Sequence, residues 1–230
     1  MASSTIITGI SSMATRQVLA ELAADYERAS GVKLAVESVG GVDAARRVAA
    51  GEAFDVVMLA ADAIDKLIAA GHAAPGRIDL VRSPVAIAVQ AGAPRPAIDS
   101  EEAVKAAVLA APNLSYSTGP SGTHLVKLFE RWGIAESIGG KLVQAPPGVP
   151  VGTLVARGEV ALGFQQLSEL MHLEGVDVVG LLPDAIAFIT TFSAAVGVHT
   201  AQADAVRAML AYLTSPAAAA AKRRHGMEPA

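Results

Sequence analysis

Asp55-Val56-Val57-Met58-Leu59 is an apolar run of strand length behind one aspartate. It stands between two segments of helical periodicity, Asp43 to Ala50 and Asp62 to Ala70, closed by Gly51 and Gly71. Glycine just past the last periodic residue is a usual helix stop. A short continuous apolar run between two such helices reads as a strand buried on both faces, as in a parallel sheet. The same texture extends in both directions. Upstream, Ile6-Ile7 and Lys33 to Glu37 read as strands, with a helix from Thr15 to Ser30 between them that stops at Gly31. Three strand–helix units in about seventy residues predict an α/β fold with right-handed crossovers.

Downstream the alternation repeats. Ser83 to Val89, Leu114 to Ser117, Lys141 to Gln144, Ala161 to Phe164, Val176 to Val179 and Ile189 to Val198 are predicted strands. Helices are predicted over Ser100 to Ala110, Gly122 to Trp132, Val151 to Arg157 and Ala203 to Leu213, with a turn at Ser168 to His172 and a last helix from Pro216. The simplest partition is two doubly wound α/β lobes joined by a two-strand hinge. One lobe covers about 1–84 and 192–230, and the other, 85–191, is inserted. One continuous doubly wound sheet is the alternative.

Composition narrows the function. The chain has 230 residues, 52% hydrophobic and only 4% aromatic, so Ala, Val, Leu and Ile must pack the core. The net charge of −4 argues against nucleic-acid binding, which needs a basic face. Cysteine is absent, which excludes disulfides and thiol chemistry. No apolar run approaches the roughly 20 residues of a membrane span, so no membrane insertion is expected. Met1 to Ser4 lead straight into the first strand. Either a secretory signal was removed, which implies a periplasmic protein, or none existed, which implies a cytoplasmic one.

Ligands of open α/β sheets bind beyond the carboxyl ends of the strands, and helix N-termini there favour anions. Four polar loops fit. Thr8-Gly9-Ile10-Ser11-Ser12 offers hydroxyls, although Ser12 also reads as an ordinary helix cap. Ser38-Val39-Gly40-Gly41-Val42-Asp43 offers backbone approach through glycines able to take positive φ, or a plain turn capped by Asp43. Ser117-Thr118-Gly119-Pro120-Ser121-Gly122-Thr123-His124 is the most polar of the four. Gly163-Phe164-Gln165-Gln166-Leu167-Ser168 brings two neutral amides, able to donate to an anion. Pro146-Pro147-Gly148-Val149-Pro150 is a fifth candidate wall. The predicted ligand-binding set is therefore Ser11, Ser12, Gly40, Gly41, Val42, Arg82, Thr118, Ser121, Gly122, Thr123, Val149, Gln165 and Gln166. Arg82 enters because it precedes the first crossover and carries a fork suited to carboxylate. Arg46 and Arg47, Lys222-Arg223-Arg224 and His72 read as solvated. His124 reads as an exposed helix-face residue, or as an acid or base if the protein is an enzyme. No metal-ligand spacing links the histidines, and no metal or other cofactor is expected.

Ser11-Ser12, Gly31 to Leu34, Ala49 to Val57 and Val155 to Gly163 together resemble the type 2 solute-binding proteins of bacterial ABC transporters, nearest the molybdate-binding branch. The resemblance implies two lobes with a hinge and a small anion held in the interlobe cleft by hydroxyls and backbone amides. It implies a membrane permease as partner. A monomer is expected. By position, Ser11 matches the first-lobe serine of that branch, and Pro120-Ser121 and Val149 stand near backbone-donor positions. Gly40-Gly41-Val42 replaces a serine-rich loop, and Gln166 replaces a tyrosine. Each change removes a hydroxyl expected to hold a tetrahedral oxyanion, which makes a carboxylate or polycarboxylate at least as good a ligand. Aconitate isomerase, which interconverts cis- and trans-aconitate, resembles the same branch. The first expectation is thus an anion-binding transport protein, and the alternative is an isomerase that moves an allylic proton.

Overall fold

A computed structural model describes residues 5–146 and 148–230. In chain order the elements are β1 (Ile6–Ser12), α1 (Arg16–Ser30), β2 (Lys33–Val39), α2 (Gly41–Ala49), β3 (Val56–Ala60), α3 (Ala61–Ala69) and β4 (Ile78–Gln90). Then follow α4 (Glu101–Ala110), β5 (Leu114–Tyr116), α5 (Pro120–Arg131), α6 (Ala135–Ile138), β6 (Leu142–Gln144), α7 (Val151–Ala156), β7 (Leu162–Gln166), α8 (Leu167–Leu170) and β8 (Val176–Leu181). The chain closes with β9 (Ile189–Val196), α9 (Ala203–Leu213), α10 (Ala219–Arg224) and β10 (Glu228–Pro229). It divides into two compact units, one reaching Arg82 and resuming at Thr191, the other spanning Ser83–Thr190. β4 and β9 each run from one unit into the other.

In the first unit β1 pairs in parallel with β2 and β3, and β9 runs antiparallel to β3. Side chains of β3 alternate between the two faces. Val56 and Met58 join Val18, Leu22 and Leu210 under α1 and α9, while Val57 and Leu59 join Val48 and Ile64 under α2 and α3. Both faces are therefore covered, which is why this strand reads as an unbroken apolar run. In the second unit β5 lies parallel to β6 and β7, and β4 is antiparallel to β7 and β8. Val85, Ile87 and Val89 pack with Phe129 and Phe164, and Ala86 and Ala88 pack with Leu170 on the opposite face.

One local outcome differs from the sequence reading. The terminal Lys222 is buried, not solvated, and its Nζ donates to the Leu80 carbonyl at 2.8 Å. Burial lowers its pKa. α10 folds back so that β10 pairs with β4, and this sets the Leu80 carbonyl, which also accepts from the Ala230 N–H at 3.4 Å, beside the Lys222 head. Its neighbours Arg223 and Arg224 pair with Glu228 and Glu21.

Asp55, ahead of β3, ties together the amino ends of the first unit's strands. It accepts from the Thr8 N–H and hydroxyl at 2.8 Å each, from Thr200 Oγ1 at 2.5 Å and from Gln202 Nε2 at 3.0 Å. Burial pushes its pKa up, but the bonds from Thr200, Thr8 and Gln202 outweigh this and hold it below 3.8. Hydrogen bonds to a charged group contribute about 1.5–3 kcal/mol, so Asp55→Ala is expected to cost about 2 kcal/mol at pH 7. A lowered folded pKa contributes stability above the unfolded value and loses it as pH falls through the folded one. The gap between the two proteins in urea unfolding should therefore narrow below about pH 4.

Candidate anion site

The carboxyl ends of β1 and β2 place three serines together. The parallel register sets Ser11 opposite Ser38, and their hydroxyl oxygens lie 2.8 Å apart. Ser12 is buried next in line, and its Oγ has no hydrogen-bond partner among the described residues. It caps no helix with its side chain. A buried hydroxyl without a partner costs about 1–3 kcal/mol, and a ligand oxygen would remove that cost. The segment Thr8 to Ser12 is strand rather than loop, because Ile7 and Ile10 both pack in the core.

Gly40 and Gly41 follow directly and open α2. Neither has positive φ, contrary to the sequence expectation. Gly40 is the N-cap, and no side chain caps this end. Asp43 does not cap it either. It pairs with Arg46. Val42 is exposed on the first turn. A methyl on Gly41 would lie 3.5 Å from the Ser12 Cβ, so the glycine keeps the helix start close to the serine cluster. The neighbouring cation Arg47 is committed, bridging Glu37 and Glu52. Hydroxyls and amides are thus the donors on offer at this end.

The sequence reading placed Ser38 in a candidate loop but left it out of the predicted ligand-binding set. It counted a hydroxyl lost at Gly40-Gly41-Val42, while strand register supplies one two residues earlier, from β2. Ser11 and Ser38 face each other only because β1 and β2 pair in this register, which no local pattern specifies.

In the second unit the loop into α5 gathers Ser117 and Ser121, whose hydroxyls are 3.1 Å apart. The Gly119 N–H donates to Ser117 Oγ at 3.3 Å. Thr118 is exposed beside them. Gly122 is required by packing rather than by φ, since a methyl there would meet the Ser117 carbonyl oxygen at 1.7 Å. Thr123 turns away from ligand duty, with both its N–H and its hydroxyl bonded to the Gly119 carbonyl.

Other predicted residues are committed within the fold. The Val149 N–H donates to the Pro146 carbonyl at 3.0 Å, so it is no free backbone donor. Pro147 lies outside the described residues. Arg82 donates one Nη2 bond to the Pro229 carbonyl at 3.0 Å where β10 pairs with β4. Gln165 and Gln166 lie in β7 rather than in a turn, on opposite faces. Gln166 Nε2 donates to Thr190 Oγ1 at 2.7 Å, and its buried Oε1 has no partner among the described residues. Gln165 bridges the Gly152 N–H, at 3.0 Å, and Glu169 Oε1, at 2.8 Å.

Two titratable groups border this end of the second unit. His124 is not an exposed helix-face residue. Its ring stacks on Phe188 with centroids 4.3 Å apart, and its Nε2 is buried without a partner among the described residues. Burial lowers its pKa, opposed by a backbone hydrogen bond to Ile186. Glu169, in α8, went unremarked in the sequence reading. Burial raises its carboxyl to about 7, with the Gln165 hydrogen bond pulling the other way.

Comparison with known proteins places this geometry. The model of the bacterial extracellular solute-binding protein family matches residues 7–228. An aconitate isomerase from Pseudomonas sp. is 41% identical over 98% of this chain and 88% of its own length. Among solved structures, the periplasmic molybdate-binding protein of Azotobacter vinelandii superposes with a TM-score of 0.80 at 18% identity, covering 96% of this chain and 98% of that one. The tungstate ABC transporter protein of Geobacter sulfurreducens superposes with a TM-score of 0.75 at 17% identity, covering 94% and 97%. The α/β architecture is that of the type 2 periplasmic binding proteins, and the chain belongs to the bacterial extracellular solute-binding protein family.

Proposed function

We propose that the protein is an aconitate isomerase-like enzyme, binding a tricarboxylate through neutral donors and shifting an allylic proton. The observation that carries this reading is the 41% identity to an aconitate isomerase over 98% of the chain, against 17–18% to the molybdate and tungstate relatives. The donors agree with it. Ser11, Ser12 and Ser38, gathered at the carboxyl ends of β1 and β2, are neutral groups suited to carboxylate oxygens, and the second unit by itself carries neutral donors of the same kind in Ser117, Ser121 and Gln166. The α2 and α5 helix starts, uncapped by side chains, add backbone N–H groups.

The test is conversion of trans-aconitate followed by NMR, beside a thermal-shift screen with cis-aconitate, citrate, molybdate, tungstate and sulfate. A ligand at 100 times its Kd stabilises by about 2.7 kcal/mol. Stabilisation by aconitate with turnover supports the reading. Stabilisation by molybdate or tungstate alone overturns it. The serine cluster gives a further expected outcome. Ser11→Ala and Ser38→Ala should each weaken aconitate binding about tenfold, and the double variant more, because each removes a hydrogen bond to a charged ligand.

Family membership supports a second reading, a solute-binding protein of an uptake system. In that case the ligand is a small anion held without turnover, the partner is a membrane permease and the location is extracytoplasmic. No helix among the described residues is long and apolar enough to cross a membrane.

A further inference from the structure

A cavity of about 220 Å3 opens in the first unit, away from the serine cluster. Val48, Phe54 and Val57 give it apolar walls, and Glu52, His72 and His199 line it with polar groups. Its volume is below the roughly 300–1,000 Å3 of a pocket for a drug-sized molecule, so it suits a small guest. α2 begins beside the serines and ends here, and its nine residues put about 13 Å between the two places.

The surroundings select the sign of charge. α2 and α3 both stop at this cavity, each with a left-handed glycine, Gly51 or Gly71, just beyond its end. Helix C-termini carry partial negative charge. The backbone donors are already spent. Gly51, Glu52, Gly71 and His72 donate their N–H groups back to Val48, Arg47, Ile68 and Leu67, and Gly197 donates to the Asp55 carbonyl. An anion would find none of these amides free. Glu52 brings a carboxylate, which Arg47 bridges to Glu37, so the three side chains together keep one net negative charge. Neutral imidazoles at His72 and His199 would each present an acceptor nitrogen. Among the described residues no three His, Asp or Glu side chains are gathered closely enough to hold a metal ion. The arrangement therefore fits an organic cation, with an apolar body against the walls.

We propose that this cavity binds a small primary alkylammonium, its head toward Glu52 and the two helix ends and its chain against Val48, Phe54 and Val57. The site is separate from the anion site, and it stands whether the protein is an isomerase or a transport protein.

The experiment titrates the whole isotope-labelled chain with n-butylammonium, and with n-butanol and butyrate as neutral and anionic matches of the same length. Amide NMR shifts at Glu52, Gly71, His72 and His199 are expected to saturate with n-butylammonium alone. Glu52→Gln should weaken that binding about fivefold, the scale of one exposed charge pair. The double variant His72→Ala with His199→Ala should weaken it at least about threefold. Glu159→Gln, an exposed carboxylate of the second unit, should leave it unchanged. Absence of saturating shifts at these amides with n-butylammonium overturns the proposal. An equal response to n-butanol or butyrate overturns it too, because charge would then play no part. Full affinity in both Glu52→Gln and the double histidine variant does the same, since the cation would then sit elsewhere.

Discussion

Glu169→Gln is expected to stabilise the protein by about 2–3 kcal/mol at pH 8 and to leave stability nearly unchanged at pH 4. The carboxyl titrates at about 7 in the folded chain, against 4.5 for the free side chain. A folded pKa raised above the unfolded one means the native state holds its proton longer. Its stability contribution is then complete below about pH 4.5 and declines as pH rises through about 7. Above that the ionised carboxylate is desolvated with one neutral donor, Gln165, among the described residues, and a tenfold change in proton affinity corresponds to about 1.4 kcal/mol. Glutamine keeps an oxygen for the Gln165 amide and carries no charge, so the loss disappears. Urea unfolding of both proteins at pH 4 and pH 8 measures this. Equal stability at pH 8 would mean that the Glu169 carboxylate is solvated in its ionised form.

Gly122→Ala should have the second large effect, a loss of about 3 kcal/mol or more. The methyl would stand 1.7 Å from the Ser117 carbonyl oxygen and 3.0 Å from the Tyr116 ring. Backbone cannot move aside as a flexible side chain can, so either the first turn of α5 unwinds or β5 shifts. Both separate Ser117 from Ser121, and ligand affinity should fall together with stability. For a chain of this length about 3 kcal/mol corresponds to roughly 6–12 °C in Tm. Gly139→Ala is the matched control. Its φ is −51° in the helical region, and nothing lies within 4 Å of the added methyl. It should stabilise by about 0.4–1 kcal/mol through the unfolded chain. If both substitutions act alike, packing at Gly122 is not what specifies its glycine.

The architecture was legible because periodicity is a local property. Val56 to Leu59 read as a strand buried on both faces, and the structure covers them with α1 and α9 on one side and α2 and α3 on the other. Glycine stops at Gly31, Gly51, Gly71, Gly133 and Gly158 all have φ between 67° and 89°, the left-handed value that a glycine helix stop uses. Strand extent was less legible. Thr8 to Ser12 and Gln165-Gln166 look like polar loops, yet they are strand, because polar residues are tolerated where a strand reaches the ligand end of its sheet. The small elements α6 and β10 carry no periodic signal, and β10 exists only through its pairing with β4.

By itself, the sequence determined which elements form, that they alternate as α/β units, and that small polar residues collect where strands hand over to helices. These follow from side-chain pattern within a few residues. Tertiary structure alone decided which polar groups meet and which are already engaged. Ser38 reaches Ser11 through strand register, while Arg82 and Val149 meet partners at Pro229 and Pro146. Glu169, one of 22 acidic residues in the chain, is set apart only by the burial and the single neutral donor that folding imposes. Proton affinity depends on solvation and on partners brought from elsewhere in the chain, and neither is written at the residue itself.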